Sequence, residues 1–411
     1  MRYLKLTKES TDKERYLPVA IDPGKKICGV VIMHPEANNH SIIKSLEIEN
    51  CSLKDAEALI KEAEEAADKF GCKPIFVFEA TSILWRPLFA YLETSGYLCH
   101  TVSASQTHSS RKTKMRKTKT DEIDATQIAK LYKQGNSHPT KLPSEPLMSM
   151  RELTRLYSFL LDVRGNLYHR VKSFSFQLFP ELESCFSGLF IKTTKVLMKK
   201  ELVNPEILSK TRVDKLANIL KKASHGRFAL PKAKELKEKA ASSFGMEKGA
   251  SGFSYGLSLL VLLANSIDSL LAPLKEKIAS LLATVPQKLT TFPGLDTIGA
   301  ATFISELGDP ANFSNKDQVI AWFGLDVIWK ISAGRGRGWH ISKAGTPYGR
   351  RWLYLTAGEF VRFFPPAKAK YLRLRKTCTH KKALSTIAAD CAEILFAMYR
   401  DNNCFNPGLY H

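Results

Sequence analysis

Several things are missing from this sequence, and each absence excludes something. None of the eight cysteines (28, 51, 72, 99, 185, 378, 391, 404) pairs as CxxC or groups with histidine at ligand spacing. A zinc site and a disulfide framework are therefore not expected, and a reducing cytoplasm is the default. No apolar run reaches the roughly 20 residues of a spanning helix. The longest, Leu257 to Ala264, is broken by Asn265 and Asp268, so no membrane partner is expected. The opening MRYLKLTKESTDKER lacks the apolar block of a signal peptide, which argues against secretion. No repeat at a period of about 20–50 residues is present, which excludes a solenoid.

What the chain has in excess is positive charge: 61 Lys and Arg against 40 Asp and Glu over 411 residues, a formal net charge of +21. With 44% hydrophobic residues it can bury sizeable cores, and its length suggests two or three domains. Charge of this size in a chain able to fold is most commonly explained by a nucleic-acid partner.

Residues 1–140 read as an α/β domain. Leu17–Asp22, Ile27–His34 and Ser41–Ile48 are β-rich runs separated by DPGKK and EANN turns. Leu53–Phe70 has the pattern of an amphipathic helix. Pro74–Glu79 is an apolar strand, followed by a helix near Trp85–Thr94, a strand Tyr97–Val102 and a helix opening at Asp121. The order βββαβαβα is the ribonuclease H-like arrangement: three antiparallel strands continued by parallel ones under crossover helices. Residues 141–287 read as a helical arm. It comprises a long basic amphipathic helix or helix pair at Arg151–Leu182, with the pattern of a coiled-coil arm, and a Lys-rich segment near Asn204–Gly252. Residues 288–411 read as a C-terminal domain, helical from Phe292 to Asn402. In it Pro293–Leu307 resembles either a helix-hairpin-helix offering backbone N–H groups to phosphate or an ordinary packing unit.

Four acids stand at element ends: Asp22 closes the first strand, Glu79 the fourth, and Asp121 and Asp124 open the last helix of the domain. Residues three apart share a helix face, so Asp121 and Asp124 point together while Glu122 points away. Carboxylates gathered in one pocket repel unless a divalent cation binds, and an all-oxygen set favours Mg²⁺, with Mn²⁺ as the other hard ion. Taken singly, Asp22 reads equally as a turn acid and Asp121 as a helix cap. Sugar kinases and actin-like ATPases share the topology, but not the acid pair beside a basic loop.

Ser105–Thr120 is that loop, with Arg111, Lys112, Lys114, Arg116, Lys117 and Lys119 and no acid. It reads either as a solvated charge run or, because it leads directly into the acid pair, as a grip for phosphates beside the metal site. A second acid-free stretch, Lys330–Arg351, carries Arg335, Arg337, Lys343, Arg350 and Arg351 among glycines that let a backbone approach a polyanion. Ser332 heads it and Ser342 lies near its end. A serine is a poor nucleophile until its surroundings activate it, and on residue chemistry alone Ser332 reads as a turn hydroxyl.

Taken together, KTDEIDA, RELTRLYSFLLDVRGNLYHRVK, FPGLDTIGAATFISELGDPANFSNKDQVIAWFGL and SAGRGRGWHISKAGTPYGRRWL resemble the DEDD transposases of insertion sequences of the IS one-ten type. The resemblance covers residues 17–175 and 288–360. It implies a RuvC-like catalytic domain, a helical arm and a C-terminal transposase domain bearing a nucleophilic serine. It also implies DNA recombination guided by a structured non-coding bridge RNA. Carried over by position, Asp22, Glu79, Asp121 and Asp124 would hold the metal and Ser332 would be the nucleophile, with Ser342 second. The family's S-G-G-K stretch departs here at Ala333 and Arg335. The expectation is a recombinase acting on donor and target DNA as a homodimer or homotetramer in the cytoplasm of a prokaryote, associated with the nucleoid. The alternative is a RuvC-type junction nuclease that uses metal-activated water without a covalent intermediate.

Overall fold

The computed structural model describes residues 15–80, 83–103, 107, 121–332 and 335–410, with side chains except those of Asp121 and residues 329–339. The chain folds as two compact units that divide between Pro143 and Ser144.

The first unit is built on a six-stranded sheet in the order β3-β2-β1-β4-β5-β6. Its strands are β1 (Tyr16–Asp22), β2 (Ile27–Met33), β3 (Ile42–Glu49), β4 (Lys73–Glu79), β5 (Leu98–Val102) and the short β6 (His138–Pro139). β1, β2 and β3 pair antiparallel, and β4 and β5 continue parallel to β1, as the sequence pattern implied. β6, which has no signal in a two-residue run, closes the edge antiparallel to β5.

Alternation along the strands sends successive side chains to opposite faces. Leu17, Val19, Ile21, Phe76 and Phe78 face a core shared with α1 (Leu53–Asp68) and α2 (Arg86–Thr94). Ala20, Val31, Met33 and Val77 face the other way, against Ala125, Ile128 and Ala129 of α3 (Asp121–Lys133). Ser52 caps α1 by accepting the Asp55 N–H, which satisfies one of the free donors at a helix start.

The second unit is mostly helical. Its frame is a pair of long helices, α4 (Glu145–Leu178) and α9 (Ala250–Leu282). They run antiparallel: Leu147 and Met150 share a core with Ile278 and Leu282, while Val171 and Leu178 share another with Leu257 and Val261. Between them in sequence comes a module of short helices, α5 (Lys192–Lys199), α6 (Pro205–Lys210), α7 (Val213–Ala223) and α8 (Leu230–Ala241). By length and composition α9 is apolar enough to cross a membrane, so the exclusion drawn from Asn265 and Asp268 does not follow from the sequence alone. In the fold, Leu257, Val261, Ala264 and Leu271 are buried inside the unit, and Asp268 pairs with Arg164 and Lys195.

Beyond α9 come α10 (Thr297–Leu307), α11 (Lys316–Trp322), a hairpin of β7 (Val327–Ser332) and β8 (Arg335–Ile341), α12 (Pro347–Phe363), α13 (Pro365–Arg375) and α14 (His380–Asp401). The hairpin corrects the expectation of continuous helix from Phe292 to Asn402. The run VIWKIS carries β-branched and aromatic residues that suit a strand, while the alternate glycines of RGRG hide its partner from a propensity reading. Pro293–Leu307 behaves as a packing unit. Gly294 has φ +84°, and a Cβ there would stand 2.6 Å from Glu359 Cβ, so the turn glycine serves close packing on α12. The Gly299 N–H at the start of α10 donates to the Asp296 carboxylate at 2.7 Å.

Candidate active site

In the first unit, β1 and β4 are in parallel register with Ile21 beside Phe78. The next step along both strands sets Asp22 beside Glu79. Both positions follow the alternation of Ala20 and Val77, so they belong to the sheet face that α3 covers. Asp22 is half-buried and Glu79 is 5% exposed. Glu79 Oε1 accepts a 2.7 Å hydrogen bond from Thr107 Oγ1, itself buried. Asp124, on the first turn of α3 just before the packed Ala125, is 3% exposed, and its Oδ2 is closed off from solvent. Glu122 points outward and is exposed, as the three-residue spacing implied. Asp121 opens α3; its side chain lies outside the described residues, as do Arg111, Lys112, Lys114, Arg116, Lys117 and Lys119.

These carboxylates offer only hard oxygen donors, the chemistry that suits Mg²⁺ or Mn²⁺. Among the described residues no three His, Cys, Asp or Glu side chains converge closely enough to hold an ion. The donor type therefore fits, and the described carboxylates by themselves do not form a ligand set. Cys28 lies behind Asp22, and burial first, then the Asp22 charge, push its thiol up to about 11. It stays protonated at neutral pH and supplies no thiolate.

In the second unit the hairpin carries the serines. Ser332 ends β7 at the tip, paired with Arg335; the side chains of Ser332, Arg335 and Arg337 lie outside the described residues. Ser342 sits at the base opposite Asp326, six residues back along β7, roughly 20 Å away at about 3.3 Å per strand residue. The two serines are therefore not parts of one constellation.

The base is clamped to the segment before it. Ser342 N–H donates to Asp326 O at 2.8 Å, Lys343 N–H to Gly324 O at 3.0 Å and Thr346 N–H to Trp322 O at 3.2 Å. Ser342 Oγ donates to Asp326 Oδ1. A Cβ on Gly345 would fall 1.8 Å from Trp322 O, so only glycine fits. Arg350 Nη1 donates to Phe323 O at 3.1 Å and Gly345 O at 3.3 Å, which makes this arginine part of the clamp. Arg351 Nη1 pairs with Asp162 of α4 at 2.7 Å, and Lys343 is exposed at φ +57°.

One buried acid was not visible in the sequence as a site residue. Glu306, 2% exposed, receives Arg155 Nε at 2.7 Å, Arg155 Nη2 at 3.0 Å and Thr346 Oγ1 at 2.8 Å. It ties the base of the hairpin to α4.

Two family models match the chain. Residues 19–180 match the transposase model of the DEDD IS110 type, and residues 286–372 match the transposase model of the IS116/IS110/IS902 family. The chain belongs to the IS110/IS116 family of insertion-element transposases. One relative is the uncharacterized 44.8 kDa protein of insertion element IS116 from Streptomyces clavuligerus. It is 25% identical over 300 residues, covering 70% of this chain and 73% of the relative. Another, the uncharacterized 43.6 kDa protein of insertion element IS110 from Streptomyces coelicolor, is 29% identical over 118 residues, covering 28% of this chain and 29% of the relative. The transposase models cover the sheet with its acids and the clamped hairpin. The module between residues 181 and 285 falls outside both.

Proposed function

We propose that this transposase is a recombinase that cuts and rejoins DNA strands, with a ribonuclease H-like (RuvC-like) catalytic domain in its first unit. The observation that carries the reading is the register of β1 and β4, which puts Asp22 beside Glu79 on the face covered by the helix of Asp121 and Asp124. These four would hold Mg²⁺ or Mn²⁺, which supplies Lewis-acid stabilisation of the charge developing on phosphate and departing oxygen.

Ser332 is the nucleophile in this reading. Its attack forms an Oγ–P bond and breaks the P–O bond to a deoxyribose oxygen. The serine proton is lost, the departing oxygen gains one, and rejoining reverses both changes. The position at the tip of a hairpin whose base is clamped supports the assignment, because a nucleophile must be held in line with its leaving group. Arg335, Arg337 and Lys343 belong to the same hairpin and its base, and offer charge to the phosphate. DNA is the substrate, and a structured non-coding RNA guides the choice of site. Exchange between two DNA partners calls for a homodimer or homotetramer, working on the nucleoid in the cytoplasm.

The test is a reaction of full-length protein with labelled DNA and guide RNA in Mg²⁺, resolved on denaturing gels. A protein–DNA adduct that resists phosphatase and is removed by protease is expected. Nicking without any adduct would replace this reading with the junction nuclease, in which activated water attacks instead.

A further inference from the structure

The helical module outside both family matches has a charge pattern of its own. Between residues 183 and 250 there are fifteen Lys and Arg against seven Asp and Glu. Part of that charge lines a cleft of about 350 Å³ walled by Phe190, Lys192, Lys195, Val196 and Lys199 on one side and Asn265 of α9 on the other.

Lys192, Lys195 and Lys199 are spaced three and four apart on α5, which sets their ammonium groups along one helix face. Lys195 is anchored: its side chain is 17% exposed, and its Nζ donates to Asn265 Oδ1 at 3.1 Å and lies 3.3 Å from Asp268 Oδ2. Asp268 is shared with Arg164, whose Nη1 reaches its Oδ1 at 3.0 Å. One carboxylate thus serves two cations, and the group keeps a net positive charge. Lys192 Nζ lies 3.2 Å from His225 Nε2. Among the described residues no carboxylate forms an ion pair with Lys192 or Lys199, and both are exposed. Phe190 adds an aromatic wall, stacked on Tyr168 with ring centres 4.0 Å apart.

We propose that this cleft is a phosphodiester-binding site through which the module grips the backbone of a nucleic-acid strand. A row of cations in a concave, partly apolar setting focuses positive potential. Its contact with a polyanion gains free energy from counterion release, and an aromatic wall suits a strand whose bases are accessible. The cleft shares no residue with the acids or the serines. It rests on the transposase reading only in that a nucleic acid must be bound.

The experiment uses the full chain and three fluorescein-labelled probes of one sequence: duplex DNA, single-stranded DNA and single-stranded RNA. Binding is followed by anisotropy across a salt series for wild type, for Lys192→Ala with Lys199→Ala, and for a control that removes the same charge outside the cleft, Lys234→Ala with Lys248→Ala. For at least one probe the cleft variant should bind about tenfold or more weakly. The slope of log affinity against log salt should flatten by about one to two, at roughly 0.7–0.9 per phosphate contact, while the control stays near wild type. The probe affected identifies the strand. Unchanged affinity and slope for all three probes, or an equal loss in the control, would overturn the proposal. If wild type bound none of the probes, the cleft and the nucleic-acid reading would fail together. A cleft variant that still forms the DNA adduct while its slope flattens separates this site from the catalytic one.

Discussion

Arg155 of α4 and Glu306 of α10 meet as a two-point pair, Nε to Oε1 at 2.7 Å and Nη2 to Oε2 at 3.0 Å, with Glu306 almost wholly buried. The hydrogen bonds it donates to Glu306 hold the guanidinium above its ordinary value, against the opposing effect of burial. Because Thr346 also donates to Glu306, the pair couples the long helix to the base of the serine hairpin. Breaking one side leaves a charge without its partner. Glu306→Ala should therefore destabilise the second unit by about 2–4 kcal/mol. Arg155→Met combined with Glu306→Leu should recover most of the loss. Urea titrations of the three variants would check this, and a double variant no better than Glu306→Ala would show that the pair is not the source of the effect.

For the carboxylates the expectation is loss of chemistry without loss of fold. Asp22→Asn, Glu79→Gln, Asp121→Asn and Asp124→Asn should each abolish strand cleavage in Mg²⁺ while circular dichroism and melting stay close to wild type. Thr107→Val removes one hydrogen bond to Glu79, a change of about 1 kcal/mol, and should slow cleavage about fivefold. Full activity in any two of the acid variants would remove the assignment.

His100 of β5 gives a pH dependence. Burial, and secondarily the charge of His138, lower its pKa to about 4. Its Nδ1 lies 2.9 Å from Ser137 Oγ, and its ring packs edge-on against Tyr132. The folded protein therefore holds this imidazole neutral, whereas the unfolded chain protonates it near pH 6.5. Between those two values the unfolded state binds more protons, so stability falls as pH is lowered from about 6.5 toward 4. The melting temperature of wild type should drop more steeply across this window than that of His100→Gln. Parallel curves for the two would show that another group governs the acid limb.

How much of this could be read from residues alone depended on the range of the interaction. The strands and α1 are written locally, in alternation and in an acid-rich helical period; Asp22 and Glu79 fall at strand ends, and Asp124 in the first turn of α3. The β7–β8 hairpin was hidden because glycines at 334, 336 and 338 depress strand propensity. Arg350 read as a phosphate grip because its carbonyl partners, Phe323 and Gly345, lie on a segment that folds back over it. The pairing of Arg155 with Glu306 spans 151 residues and leaves no periodic trace. Thr107 is likewise a single hydroxyl within a basic run.

The proposed choice of Ser332 over Ser342 rests on their places in the hairpin. Ser342 at the base has its hydroxyl committed to Asp326 and its N–H to the same residue's carbonyl, an arrangement that fixes a turn. Ser332 sits at the tip of the hairpin, beside Arg335 in register. Ser332→Ala should bind DNA and RNA as wild type does and form no covalent adduct. Ser342→Ala should lose about 1 kcal/mol of local stability with the hydrogen bond, and retain adduct formation at a reduced rate. Denaturing gels with labelled DNA distinguish the two. An adduct that survives in Ser332→Ala and disappears in Ser342→Ala would move the nucleophile to the clamped base, where Asp326 would then be its hydrogen-bond partner.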